Sequence, residues 1–162
     1  MMRASPRLES LSLIFDFYES LEDSDEALSM EDQFSQLSNV IFPHLRVLRA
    51  VSRFLSPISP ALQQFLRNHP KLNTLAFGSV RKNMPRVIGV DEIVAIASAV
   101  RHFEGPAFLV EPLLQSEISS QLESLSICGD AFLDKELGPI MQGLSRTPLL
   151  KLSALRTLRV EP

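Results

Sequence analysis

The sequence predicts an α/β fold in which short parallel strands alternate with outer helices, and three observations support this prediction. A six-residue phrase recurs six times along the 162 residues. The segments between successive phrases carry helix-start signals or apolar residues at helical spacing. Each predicted helix follows one phrase and precedes the next, which is the alternation that a parallel sheet requires. The sequence also lacks nucleophile elbows, phosphate-binding loops and zinc-ligand spacings, an absence that concerns function and not the fold. The recurrence is the strongest of the three observations, because self-similarity at a regular period decides the fold before local propensity does.

The repeat phrase has apolar or small residues at its first, fourth and sixth positions. Its six copies begin at Leu8, Leu45, Leu72, Val100, Leu122 and Leu155, the Val100 copy being degenerate. The intervals are 37, 27, 28, 22 and 33 residues, and three of them lie in or near the range of about 20–29 residues that leucine-rich repeats show. The sequence therefore predicts a leucine-rich-repeat solenoid, a right-handed βα horseshoe arc with about six short parallel strands, as one domain over residues 1–162.

The first two phrases are separated by an acidic insert and a helix, residues 16–41. The segment Asp16 to Asp32 holds eight acidic residues and no lysine or arginine. A solvated loop that leads into a helix from Ser24 to Leu37 is the simpler interpretation. The alternative is an acidic docking segment for a basic partner.

The next helix is predicted after the second phrase. Ser59 is expected to be its N-cap and Pro60 its first residue, where the missing N–H costs nothing. Residues Leu62, Phe65 and Leu66 follow at helical spacing, and the segment 68–70 ends the helix because a residue before proline avoids helical geometry.

A basic loop and three further helices complete the predicted elements. The loop covers residues 78–90 and is either a solvated connection or an anion-binding segment. The second helix is expected to begin at Asp91, with Val100 as the last residue of its apolar stripe. A third is predicted from Glu111 to Ser119, and a fourth from Pro139 to Ser145.

Composition and charge exclude several classes of function. The net charge of −3 argues against a nucleic-acid partner, because phosphate binding needs a concentrated basic surface. Cys128 is the only cysteine, which precludes an internal disulfide and fits a reducing compartment. No apolar run approaches the roughly 18 residues of a membrane span. We therefore expect a cytoplasmic or nuclear protein that binds no cofactor or metal and has no membrane contact.

The candidate binding site is the sheet face opposite the core, formed by the third and fifth positions of each phrase. These positions are Ser10, Ser12, Val47, Arg49, Thr74, Ala76, His102, Glu104, Ser124, Ser126, Thr157 and Arg159. The set contains no tryptophan, tyrosine or phenylalanine, so it lacks the aromatic anchors of a strong protein hot spot. His102 and Glu104 lie two residues apart on one face, and a hydrolytic enzyme using this pair is the remote alternative. We expect a modest or extended protein contact and no enzyme activity.

Beyond the repeat itself, some sequence segments resemble those of one protein family. The segments 42–48, 65–75 and 103–109 resemble the repeat region of fungal F-box proteins with leucine-rich repeats. This resemblance implies that the repeats recruit the substrate of a cullin–RING ubiquitin ligase. Docking on the ligase adaptor depends on an F-box, and no residue of this chain matches one. A leucine-rich-repeat scaffold with no link to ubiquitin is the alternative.

The positions of the first and last phrases predict exposed ends. The first phrase begins at Leu8 and the last ends at Val160, whereas a solenoid needs polar caps on its terminal repeats. Unpaired edges and apolar side surface are therefore expected at both ends. The sequence thus predicts part of a longer repeat array, a truncated gene product, or an obligate partner in an assembly, which includes end-to-end self-association.

Overall fold

A computed structural model describes residues 7–15, 35–52, 60–78, 89–128, 142 and 152–161. It contains one open, six-stranded parallel sheet whose strands follow chain order. The strands are β1 Ser10–Phe15, β2 Val47–Ser52, β3 Thr74–Gly78, β4 His102–Gly105, β5 Ser124–Cys128 and β6 Thr157–Glu161. The α/β class and the six parallel strands predicted from the repeat phrase are confirmed.

The six phrases align across the sheet without a slip in register. The third position of each phrase pairs with the third position of the next, from Ser10 opposite Val47 to Ser124 opposite Thr157. Residues at one phrase position therefore form a row that crosses the strands. Because side chains alternate along a strand, each row lies on one face of the sheet.

One backbone hydrogen-bond pattern connects every pair of neighbouring strands. The carbonyl of Glu9, at the second phrase position, accepts the N–H groups of Arg46 at 2.8 Å and Val47 at 3.0 Å. The corresponding bonds, at 2.7–3.2 Å, recur at the carbonyls of Arg46, Asn73, Arg101 and Glu123. The second-position carbonyls thus fix where each strand begins relative to its neighbour.

Three helices and one 3₁₀ helix fill the intervals between β2 and β5. They are α1 Pro60–Arg67, α2 Val90–Ala97, α3 Ala107–Gln115 and the 3₁₀ helix Glu117–Ser120. Residues 35–38 are also helical, before β2. Within the described ranges, no helix is long and apolar enough to cross a bilayer.

The predicted start of the third helix is wrong. Helix α3 begins at Ala107, and Pro112 lies inside it even though proline favours a first turn. Burial compensates for the N–H that Pro112 lacks, since Leu109 and Leu113 on the same helix are fully buried. The helix also ends at Gln115, and a separate 3₁₀ helix covers the rest of the predicted span.

The second helix differs from its prediction at both ends. Helix α2 begins at Val90, one residue before Asp91, and ends at Ala97. Val100 follows a turn, where its N–H donates to the carbonyl of Ala97 at 2.9 Å. It is buried as the first residue of the fourth phrase and not as part of the helical stripe.

Several predicted elements lie outside the described residues. These are the N-cap Ser59, residues 16–34 of the acidic insert and its helix, residues 79–88 of the basic loop, and the helix 139–145 apart from Gln142, which is helical.

The core lies between the helices and one face of the sheet. A single cluster joins the strand side chains Leu48, Leu75 and Leu125 to helical side chains such as Phe65 and Leu113. The helices therefore cover the face that carries the fourth and sixth phrase positions. The opposite face carries the third and fifth positions.

Large and small residues alternate along the sixth-position row of the core. Phe77 is fully buried, with Ala50 as its register partner on β2. On β4 the sixth position is Gly105, and the ring of Phe103 occupies the space beside it, edge-on to Phe77 at a centroid distance of 6.2 Å. A Cβ atom at Gly105 would lie 2.9 Å from Cε1 of Phe103. The glycine is thus required by close packing.

A buried histidine joins α1 to the segment before β2. His69 is 3% exposed, and its Nε2 accepts the N–H of Phe42 at 3.0 Å. The ring proton is therefore on Nδ1, which donates to the carbonyl of Phe65 at 2.6 Å. The ring also stacks on Phe42 at a centroid distance of 5.7 Å. Burial lowers the pKa of His69 below its ordinary value of 6.5, while the bond to Phe65 opposes this shift.

The packing at Gly105 predicts a coupled pair of substitutions. Gly105→Ala should lower the free energy of unfolding by about 1–3 kcal/mol, because the added methyl group meets the Phe103 ring. In Phe103→Leu/Gly105→Ala the cost should be less than the sum of the two single costs, since leucine vacates the contact. Chemical denaturation of the four proteins measures this coupling. Additive costs would show that the contact does not limit packing.

The environment of His69 predicts a pH-dependent stability. Since the pKa is lower in the folded state, the unfolded state binds more protons, and stability falls as the pH drops below about 6.5 towards the folded value. His69→Gln should cost about 1–3 kcal/mol at pH 7.5 because it disturbs the bond to the Phe42 N–H. That difference should narrow as the pH falls to 5, because glutamine does not titrate. Denaturation across this pH range tests it, and a difference that stays constant would contradict it.

Candidate functional site: the open face of the sheet

The structure brings the twelve predicted binding residues together on the open face of the sheet, the face turned away from the helices. Eleven of them are exposed or half-buried. Ala76 differs, with an exposed fraction of 6%. Its register partners are Arg49 and Glu104, so a residue with a longer side chain stands on either side of it. Ala76 therefore offers little surface to a partner.

A depression of about 400 Å³ lies on this face over β4, β5 and β6. Its lining comprises Thr74, His102, Phe103, Glu104, Glu123, Ser124, Ser126, Arg156, Thr157 and Arg159. The concave shape follows from the sequence of β5, whose third and fifth positions are both serine. Longer side chains stand on β4 and β6, so the two serines form a low floor between two walls.

The walls of the depression carry opposite charges. Glu104 on β4, Ser126 on β5 and Arg159 on β6 form one row across the register. Because parallel strands are spaced about 4.8 Å apart, the Cα atoms of Glu104 and Arg159 are about 10 Å apart. Each charged group is therefore available to a ligand that enters between them.

Second-position residues extend this charged surface towards the start of the strands. Nη1 of Arg101 donates to Oε1 of Glu123 on the next strand at 2.9 Å. The side chains are 61% and 30% exposed, so solvent screens the pair. Arg156 lies one strand further on and lines the depression with Glu123.

The repeat phrase does not predict these second-position residues, because strand alternation assigns only the third and fifth positions to the outward face. The inward and outward alternation of side chains begins with the strand itself, at the third phrase position. The second phrase position lies before the strand, in the connection that leads into it. The available signal was the charge order of successive second positions, Arg101, Glu123 and Arg156.

The N-terminal end of the open face is more apolar. Ile14 and Val51 are register partners at the seventh phrase position, with exposed fractions of 70% and 39%. The fifth positions beside them are Ser12 and Arg49. The face therefore changes from apolar and small over β1 to charged and concave over β4 to β6.

His102 and Glu104 have positions that fit a binding surface. His102 is half-buried and Glu104 is exposed on the same strand. Among the described residues, no hydrogen bond joins the pair and no third group orients the imidazole, which an acid–base couple would need. The described part of the chain also contains no cluster of three His, Cys, Asp or Glu side chains that could hold a metal ion.

Comparison of the chain with protein-family models, curated proteins and solved structures gives no match. Its function is therefore inferred from the geometry and charge of the open face.

The Arg101–Glu123 pair predicts a small, salt-dependent coupling. Because both side chains are partly exposed, a double-mutant cycle with Arg101→Ala and Glu123→Ala should give a coupling free energy of about 0.2–1 kcal/mol at low salt. The coupling should fall towards zero at about 1 M salt, where the Debye length is near 3 Å. A coupling that is insensitive to salt would mean that the pair is shielded from solvent.

Proposed function

We propose that this chain is a non-enzymatic protein-interaction module built as a leucine-rich-repeat horseshoe, which binds a partner protein on the open face of its sheet. The observation that carries the proposal is the in-register stack of six parallel strands with helices covering one face and side chains free on the other. The recurrent hydrogen bonds of the second-position carbonyls support the repeat assignment, because they make each strand junction equivalent.

The charges of the open face favour a partner with an acidic segment. Across the second and fifth positions the face carries five arginines and three glutamates, a formal charge of +2 on a chain whose net charge is −3. Arg156 and Arg159 line the depression, and arginine recognises carboxylates through two parallel hydrogen bonds. An acidic side chain of the partner would thus lie over the β5 serines against β6.

The resemblance to F-box proteins extends this proposal to ubiquitin ligation. In that role the open face would select the protein to be ubiquitinated, and an F-box outside this chain would contact the ligase adaptor. The alternative is a scaffold that holds its partner without directing its degradation. Both functions place the protein in the cytoplasm or nucleus.

Two charge reversals on the open face should abolish partner binding. Arg49→Glu/Arg159→Glu changes the face from net positive to net negative and reverses the charge of the β6 wall of the depression. Both side chains are exposed, so stability should change by less than about 0.5 kcal/mol for each. Tagged wild-type and variant chains are used to capture partners from native lysate, which mass spectrometry then quantifies.

The matched control is Arg67→Glu/Lys71→Glu, which makes the same charge change at exposed positions on the helical side. Proteins captured by the wild type and the control should be lost from the face variant. Loss from the helical-side variant alone would place binding elsewhere. Captured proteins that accumulate when the chain is deleted from cells would support ubiquitination, and unchanged levels would favour the scaffold.

A further inference from the structure

The two terminal strands of the sheet each have one unpaired edge. In the described part of the chain, β1 pairs only with β2 and β6 only with β5. Edge strands are normally protected by charges or proline, since their free N–H and C=O groups attract other strands. Strand β1 has the sequence Ser-Leu-Ser-Leu-Ile-Phe, which contains neither. Among the described residues, this edge therefore carries neither form of protection.

The two edges are complementary in their backbone groups. Each of the first five second-position carbonyls accepts two N–H groups from the next strand. The sixth such carbonyl, that of Arg156, has no corresponding strand among the described residues. On the opposite edge, the N–H groups of Glu9 and Ser10 are the donors that a preceding strand would engage. A strand that continued the sheet beyond β6 would need those two donors.

The side chains of the two edges are complementary in the same register. Alignment of β6 with β1 of another molecule places Arg156 beside Glu9, the second positions of their phrases. This is the arrangement that Arg101 and Glu123 make on neighbouring strands within the chain, at 2.9 Å. The contact would thus join opposite charges in a geometry that the sheet already contains.

The apolar rows also match. On β6, Leu158 and Val160 occupy core positions but are 45% and 43% exposed. On β1, Leu11 and Leu13 occupy the same positions and are only half-buried. The proposed register places Leu158 beside Leu11 and Val160 beside Leu13, which continues the fourth- and sixth-position rows of the core. Association would remove this apolar surface from water.

We propose that a second copy of this chain binds at the β6 edge, with β1 of that copy adding a parallel strand in register with β6. The contact joins two different surfaces, head to tail, so it leaves a free β1 edge and a free β6 edge on every pair. Assembly can therefore continue beyond a dimer, to a closed ring or an open filament. It engages the strand edges and the second-position pair Arg156 and Glu9, and it leaves the fifth-position residues of the open face, such as Arg159, accessible to a partner.

Light scattering after size exclusion, applied to the full chain, tests the proposal. The mass of the wild type should rise with concentration beyond that of a dimer. Arg156→Glu and Glu9→Arg should each weaken association by at least about tenfold, because each places like charges together at the contact. An equimolar mixture of the two variants should associate again, since every contact between unlike copies then joins opposite charges.

Arg67→Glu is the matched control. It reverses one exposed charge on the helical side, at the end of α1 between β2 and β3, and it should leave the mass unchanged. Val160→Glu tests the apolar row and should weaken association at high salt as well, where the charge pair is screened. Circular dichroism checks that each variant keeps its secondary structure.

Two results would overturn the proposal. One is a wild-type mass that stays at that of a monomer, or stops at that of a dimer, over the whole concentration range. The other is a result in which both charge variants still associate, and each does so as strongly as their equimolar mixture. Neither result bears on partner binding by the open face, because that is measured by capture and not by mass.

Discussion

The second-position carbonyls determine what each face of the sheet presents. Each accepts two N–H groups from the following strand, and this pattern recurs at all five junctions. Side chains alternate with a period of two, so a slip of one residue at any junction would move polar residues of the following strand into the core and leucines to the surface. The same hydrogen bonds therefore align Leu48, Leu75 and Leu125 in the core and the serines and arginines outside. Both the stability of the fold and the composition of the open face depend on this register.

The core adapts to the register by compensating side-chain sizes between strands. The fourth-position row is large throughout, whereas large and small residues alternate along the sixth-position row beside it. Phe77 has Ala50 as its register partner, and Phe103 occupies the space that Gly105 leaves. The degenerate fourth phrase is thus a repacked phrase, in which one larger side chain replaces two of medium size. A repeat pattern that requires leucine at the fourth and sixth positions gives this phrase a poor match. A pattern that sums the side-chain volumes at those two positions recognises it.

The periodic part of the structure could be predicted from the sequence because one rule generates it. The repeat phrase predicted six strands, their parallel order and the face on which each third and fifth position lies. The contacts of His69 could not be predicted, because Phe42 is 27 residues away and nothing local connects the two. The start of α3 could not be predicted either, because Pro112 lies inside this helix against its local preference and tertiary burial sustains it there. Ala76 follows the alternation but is only 6% exposed between longer residues on two other strands, and a single phrase does not reveal those neighbours.

The depression shows how a repeat produces a specific site from ordinary residues. A row of the open face has an even height only if successive phrases carry side chains of similar length. Where neighbouring strands carry side chains of different length, the surface has raised and low regions. Serines at both outward positions of β5 lower the floor, while Glu104 and Arg159 raise the walls on either side. Over β1 the same positions are also serine, but β1 has a neighbour on one side only, so no depression with two walls forms there. Concavity thus requires a short strand face between two long ones, and among the described strands β5 meets both conditions. This is the physical reason to expect partner recognition over β4 to β6 and assembly at the terminal edges, where no second neighbour is present.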